Sequence, residues 1–290
     1  MEFTNIGNVF VTKITEYLDK LDPNFVLPDY SPDIFDKNYD WLFPNYIDLI
    51  QKKLNFSFHS SLLVTDKYNI LIDTCVGNNK NRPLENWHQR NSNAYLNALK
   101  LNNIDVNKID YVMCTHLHAD HVGWNTKLQN NKWVPTFPNA KYIFSKIDYN
   151  FFNNVRENEQ GYQSMIDSVK PIVDSGKSII VDYDYEINNE IKLIHTPGHT
   201  PGHYCVSIES GSEKGIVSGD VIHHPIQIIH PEWKTNFCNN PEESSSSRIK
   251  FVDSVTDRDI KIIPAHFASP TIGHIKSIKN NRYFSPVLKP

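Results

Sequence analysis

A chain of 290 residues with 39% hydrophobic and 21% charged side chains has enough apolar material for a packed core and is neither fibrous nor disordered. A net charge of −4, with no basic block, offers no stripe for tracking phosphates, so nucleic acid is not an expected partner. No apolar run approaches the about 20 residues of a membrane span, and the opening MEFTNIGNVFVTKITEYLDK lacks a basic-then-apolar leader, so the expectation is a cytoplasmic protein without a membrane partner.

In chain order, VFVTKIT near residues 8–15 alternates apolar and polar side chains and predicts a strand. Residues 22–50 hold Pro23, Pro28, Pro32 and Pro44 among aromatics, a density that blocks long helices and strands and predicts an irregular surface excursion, of the kind often used as a lid or contact surface. SFHSSLLVTD and YNILIDTCVG then read as a hairpin. A short helix is expected over 91–102, capped by Ser92 or Asn93, followed by a buried strand Tyr111–Thr115 that runs into a histidine-rich loop. Further strands are expected at 140–146, 178–182, 191–195, 203–209 and 215–219. Residues 147–175 look helical with an interruption at Gly161, PEESSSSRIKFVDSV reads as a capped helix, and KIIPAHF closes with a last strand. Cys75, Cys114, Cys205 and Cys238 form no Cys-x-x-Cys pair and read as reduced thiols. With no Gly/Ser linker, residues 1–290 read as one mixed α and β domain.

The chemistry concentrates in Thr115-His116-Leu117-His118-Ala119-Asp120-His121. In an extended loop 116, 118 and 120 project to one side, and His121 swings back if a helix begins. Imidazole nitrogen and carboxylate oxygen are the ligands of catalytic zinc, which keeps one position open for water. One tetrahedral ion cannot use all four groups and stay open, so the excess implies two metals. His199 in HTPGHTPGH, Asp220 after IVSG and His266 after KIIPA sit at strand ends or turns, where distant segments assemble sites.

HLHADH with the later His, Asp and His resembles the metallo-β-lactamase superfamily from the strand ending at Asp73 through His266. The resemblance implies a four-layer αβ/βα sandwich. It implies a first metal on His116, His118 and His199, a second on Asp120, His121 and His266, and Asp220 bridging both. It gives Asp73 the role of orienting ligands or loop backbone. It implies two zinc ions, with manganese or iron also compatible with these ligands. A metal-bridging hydroxide would then be the nucleophile, oriented by Asp120. His195 and His203 read as structural, and His59 as a residue near the site.

Within that superfamily, His118 stands where the diiron flavoprotein branch has Glu, and Asp220 where a common class of zinc β-lactamases has Cys. The 24 residues after His266 leave no room for the helical domain of the glyoxalase II branch. The remaining resemblance is to the N-acyl homoserine lactonases and the methyl-parathion-hydrolase-like branch. The lactonases carry Tyr three residues after the bridging Asp, whereas this chain has His223, read as a donor to the developing oxyanion. The expectation is a small-molecule ester or lactone hydrolase; phosphotriester hydrolysis and metal binding without catalysis are the alternatives. Trp41, Phe43, Trp87, Trp124, Trp133 and Trp233 are candidates for a pocket wall or a homodimer contact, Trp124 being the best placed, although core packing is the ordinary role of any one aromatic.

Overall fold

The computed structural model describes residues 2–279 and 281–287. Two sheets carry the fold. The first orders Phe3–Ile6, Val9–Leu21, Lys53–Val64, Asn69–Ile72, Tyr111–Met113, Lys141–Ser145 and Ser178–Val181 side by side, with Ile47–Asp48 beside Lys53–Val64. The second orders Glu186–Asn188, Ile191–His195, Tyr204–Ser210, Glu213–Gly219, Ile260–Pro264, Gly273–Ile278 and Asn281–Pro286. The expected SFHSSLLV/YNILI hairpin is present as an antiparallel pair with Leu62 opposite Leu71.

The period-two alternation of strands explains the layers. Leu63, Ile70, Ile72, Met113 and Ile143 point between the sheets and meet Val206, Ile208, Val217 and Ile263. Their neighbours Leu62, Leu71, Val112, Tyr142 and Phe144 point outward onto Tyr95, Leu99, Phe152 and Ile172, carried by the helices Ala94–Leu101, Lys146–Asn153 and Lys170–Asp174. On the far side Cys205, Ile216 and Ile262 meet Phe251, Val252 and Val255 of the helix Pro241–Val255. The result is the four-layer αβ/βα sandwich. Each large aliphatic side chain removed from water in these layers contributes about 1.5–3 kcal/mol.

The excursion at 22–50 is less irregular than its prolines suggest. It folds into one-turn helices Pro23–Val26, Asp33–Lys37 and Tyr39–Leu42. Val26, Leu27, Ile34, Phe35, Leu42 and Tyr46 are buried in the outer core, so apolar burial at short spacing holds the segment down. The sequence reading also missed the first strand, a hairpin of Thr126–Gln129 with Lys132–Pro135, and the two strands after Ile260–Pro264. Those are mostly short edge or hairpin strands whose polar side chains carry little periodic signal. The four cysteines are free thiols. Among the described residues no helix is long and apolar enough to cross a membrane.

His224 fastens the excursion to the second sheet. Its Nε2 lies 2.8 Å from the Tyr46 carbonyl and its Nδ1 accepts from the Ile226 amide at 3.3 Å, which fixes a neutral ring protonated on Nε2. Burial pushes its pKa down from 6.5 to about 4. Between those values the unfolded chain binds a proton that the folded chain refuses, so stability is full above pH 6.5 and falls as pH drops toward 4. His224→Gln is expected to remove about 2 kcal/mol from the stability difference between pH 7 and pH 5, read by urea unfolding at both. An unchanged difference would overturn this assignment.

Candidate metal centre

The site forms where the carboxyl ends of parallel strands meet. Asn69–Ile72 runs parallel to Tyr111–Met113, and Glu213–Gly219 parallel to Ile260–Pro264. The chain leaving these strands delivers Asp73, His116, Asp220 and His266 to one edge of the sandwich. The helix begins at Ala119, with His118 as its N-cap. Asp120 therefore lies on a helical turn with His121 and not in the extended run anticipated for it. The break divides the motif: His116 and His118 reach His199, Asp120 and His121 reach His266, and His116, His121 and Asp220 meet between them.

The first group is a triangle of imidazole nitrogens. His116 Nε2 lies 3.1 Å from His118 Nδ1, His118 Nδ1 lies 2.8 Å from His199 Nε2, and His199 Nε2 lies 3.1 Å from His116 Nε2. Away from the triangle, His116 Nδ1 faces Thr115 Oγ1 at 3.1 Å and His199 Nδ1 faces Cys238 Sγ at 3.4 Å. Protons on those outer nitrogens leave lone pairs converging on a point, the arrangement that zinc takes at about 2.0–2.1 Å. Burial pushes His116 and His199 well below their usual pKa and His118 to about 4, which keeps these rings in the neutral, metal-binding form.

The second group joins Asp120, His121 and His266. His266 Nε2 lies 3.3 Å from His121 Nε2 and 3.5 Å from Asp120 Oδ2, and His121 Nε2 lies 3.6 Å from Asp120 Oδ2. Asp220 stands between the groups. Its Oδ1 is 3.2 Å from His266, and its Oδ2 is 3.3 Å from both His121 and His199. Burial opposes a proton on His121 and on His266, but Asp220 and its neighbouring carboxylates outweigh it and hold both rings above their usual value. Burial also opposes charge on Asp220, yet His121, His266 and His223 hold it well below the carboxylate range. Asp220 Oδ1 and both ring nitrogens of His223 are buried without a hydrogen-bond partner among the described residues, as a donor set awaiting ions and substrate would be.

Surrounding groups aim these ligands. Asp73 Oδ2 accepts from His121 Nδ1 at 2.9 Å and from Thr115 Oγ1 at 2.9 Å, and Asp73 Oδ1 accepts from the Thr115 amide at 2.7 Å. This turns His121 Nε2 inward. Asp73 does so at φ 59°, a left-handed conformation that aspartate tolerates better than most residues. His203 Nε2 accepts from the Asp220 amide at 2.9 Å and its Nδ1 meets Thr196 Oγ1 at 2.8 Å, so it supports the loop without joining the donor set. A Cβ on Gly219 would come within 2.6 Å of that same Nε2, which is why glycine precedes Asp220. His195 binds the Pro201 carbonyl at 3.0 Å, and His59 binds Ser57 Oγ at 2.9 Å.

Asp148 was not anticipated from the sequence. It is fully buried and accepts from Leu117, Thr200 and Gly202. Burial raises its pKa to about 6 against those bonds. Nothing in SKIDYN distinguishes it from any acid in a first helical turn.

A cavity of about 870 Å³ opens onto the centre, reaching His118, Asp120, His199, Asp220, His223 and His266. Leu21, Phe25, Phe56, Phe58, Trp87 and Phe237 give it apolar walls. Of the sequence-nominated aromatics only Trp87 lies there. Trp124 faces the core instead: it stacks on Tyr95 at 5.4 Å, and its indole N–H donates to buried Glu16 at 2.8 Å. Trp133 lies under the Lys80 ammonium, Trp41 and Trp233 pack on the outer core, and Phe43 stacks on Tyr39.

Residues 54–266 match the model of the metallo-beta-lactamase superfamily. Among curated relatives, an N-acyl homoserine lactonase of a Bacillus species is 28% identical over 174 residues, covering 58% of this chain and 59% of that one. N-acyl homoserine lactonase AiiA of Bacillus thuringiensis subsp. kurstaki is 26% identical over 170 residues, 55% of this chain and 61% of that one. The match thus spans about three fifths of these relatives' length. Among solved structures, the hydrolase AbOPH of the beta lactamase superfamily superposes with a TM-score of 0.82 at 22% identity, covering 100% of this chain and 98% of that one. AidC, a dizinc quorum-quenching lactonase, superposes with a TM-score of 0.80 at 20% identity, with the same coverage of 100% and 98%. At these identities the superpositions speak for the fold.

Proposed function

The chain belongs to the metallo-β-lactamase superfamily, and from that premise we propose that it is a dinuclear zinc hydrolase that opens an ester or lactone bond. The observation that carries this reading is the position of Asp220, with one oxygen 3.2 Å from His266 and the other 3.3 Å from His121 and His199. A carboxylate so placed could serve both groups of donors. His116, His118 and His199 would hold the first, and Asp120, His121 and His266 the second. Two such ions would lower the pKa of water to give a nucleophile at neutral pH and would act as a Lewis acid for the carbonyl oxygen.

The protein's own groups then do the rest. Asp120 lines the cavity and is the carboxylate placed to orient the attacking oxygen and take its proton. His223 also lines the cavity, with Nε2 3.3 Å from Asp220 Oδ2 and no hydrogen bond made. Its burial depresses the pKa, so the ring is neutral and donates one N–H to the oxygen that gains charge. His223→Ala is expected to lower kcat about 10²-fold with little change in KM. A raised KM with kcat unchanged would mean that His223 acts in binding.

The apolar walls of Phe25, Phe58, Trp87 and Phe237 suit an acyl or aryl group beside the scissile bond. The kinship to N-acyl homoserine lactonases favours a lactone. His223 in place of their tyrosine keeps phosphotriester hydrolysis as the second reading. Turnover of p-nitrophenyl esters, homoserine lactones and methyl paraoxon, measured side by side with metal content, separates these. All three at the zinc-free background, with two ions bound, would leave a metal-binding protein without catalysis.

A further inference from the structure

We propose that Asp148 is the positioning residue of the first metal group: a single carboxylate that clamps the loop of His116 and His118 to the loop of His199 and so sets the metal affinity of that group alone. The inference rests on the ligand reading above and extends it to a residue outside the donor set.

Asp148 sits in the first turn of the helix Lys146–Asn153, where the Ser145 hydroxyl caps its amide at 3.4 Å. Its Oδ2 accepts from the Leu117 amide at 3.3 Å and from Thr200 Oγ1 at 2.7 Å, and its Oδ1 accepts from the Gly202 amide at 2.6 Å. Leu117 lies between His116 and His118, and Thr200 follows His199. The carboxylate therefore joins the loops within one or two residues of all three imidazoles. Inside a dry interior, charge-assisted bonds of this kind are stiff and strong.

The chain is shaped for this contact. A Cβ on Gly202 would fall 2.8 Å from Asp148 Oδ1, 2.5 Å from its amide nitrogen and 2.3 Å from Ser145 Oγ. Only glycine lets the 202 amide approach so closely. This accounts for the second glycine of HTPGHTPGH, which the ligand assignment leaves unexplained. The second metal group is held by other means: Asp73 orients His121, and the Ser57 carbonyl lies 3.3 Å from His266 Nδ1.

Losing the clamp lets the loops part and widens a nitrogen triangle that now spans 2.8–3.1 Å. Zinc affinity, measured by competition with a chromophoric chelator, tests this in two backgrounds. His266→Ala leaves the three-imidazole group able to bind, and His118→Ala leaves the other. Asp148→Asn is expected to weaken zinc about 10- to 100-fold in the His266→Ala background and less than about threefold in the His118→Ala background. Thr200→Val, which removes one donor and keeps the carboxylate, should give the same asymmetry at about three- to tenfold. Equal weakening in both backgrounds, or none in the first, overturns the clamp. A His266→Ala parent that still takes up two zinc ions overturns the ligand reading, and the clamp with it.

Discussion

Asp220→Ala is expected to bring bound metal from two ions per chain to one or fewer and to slow hydrolysis by at least about 10³-fold. The magnitude follows from its position. Its two oxygens face His266 on one side and His121 and His199 on the other at 3.2–3.3 Å, so under the proposed dinuclear reading its loss would cost both groups of donors a ligand. The chemistry that depends on the ion pair is worth several kcal/mol of the barrier, and each 1.36 kcal/mol is a factor of ten in rate. Asp220→Asn, which keeps the shape and removes the charge, should fall nearly as far, because two dications need the carboxylate's charge. Elemental analysis and turnover of whichever ester or lactone the panel identifies give the two readouts. Retention of two ions with activity within tenfold of the parent would sink the bridging assignment.

The largest stability effect is expected at Asp167. This carboxylate is the counter-ion of two buried cations: Arg82, bound through Nη1 and Nη2 at 2.7 and 2.9 Å, and Lys80, whose Nζ is 3.6 Å away. The side chains of Lys80, Arg82 and Asp167 are 0%, 1% and 6% exposed. Burial already pushes the Lys80 ammonium down to about 7 against the pull of Asp167. Asp167→Ala leaves both cations in the interior without a carboxylate, at a cost of about 3–5 kcal/mol. Urea unfolding should show a lower midpoint with an unchanged slope. A loss under about 1 kcal/mol would show that the backbone carbonyls around Lys80 and Arg82 suffice. Because the chain from Arg82 to His88 walls the cavity, KM should rise in the same variant.

Much of the donor set was legible because its residue types are rare in such density. Three histidines and an aspartate within six positions have little reason to gather except around metal, and His199, Asp220 and His266 each end a β-type run or sit in a turn. Strand alternation likewise announced most of the sheets. Asp148 and Asp167 show the limit, and Trp124 shows what spacing alone leaves open. Asp148 resembles any acid early in a helix, and its partners Leu117 and Gly202 are 31 and 54 residues away. Asp167 lies in the one-turn π-helical segment Met165–Val169, and its partner Arg82 is 85 residues off. Trp124 sits three residues past His121, a spacing compatible with a pocket wall and with the core alike. The helix that starts at Ala119 carries it past the site, and its indole N–H finds Glu16 in the core.

The sequence by itself determined the family, through the HLHADH cluster and its later partners, and the mixed α and β character, since residue type and apolar period are local. Tertiary structure decided which buried carboxylates, Asp73 and Asp148, hydrogen-bond the segments that carry the HLHADH cluster, and which aromatics face the cavity. Those depend on where a helix begins and on contacts between segments dozens of residues apart, and no local pattern carries that information.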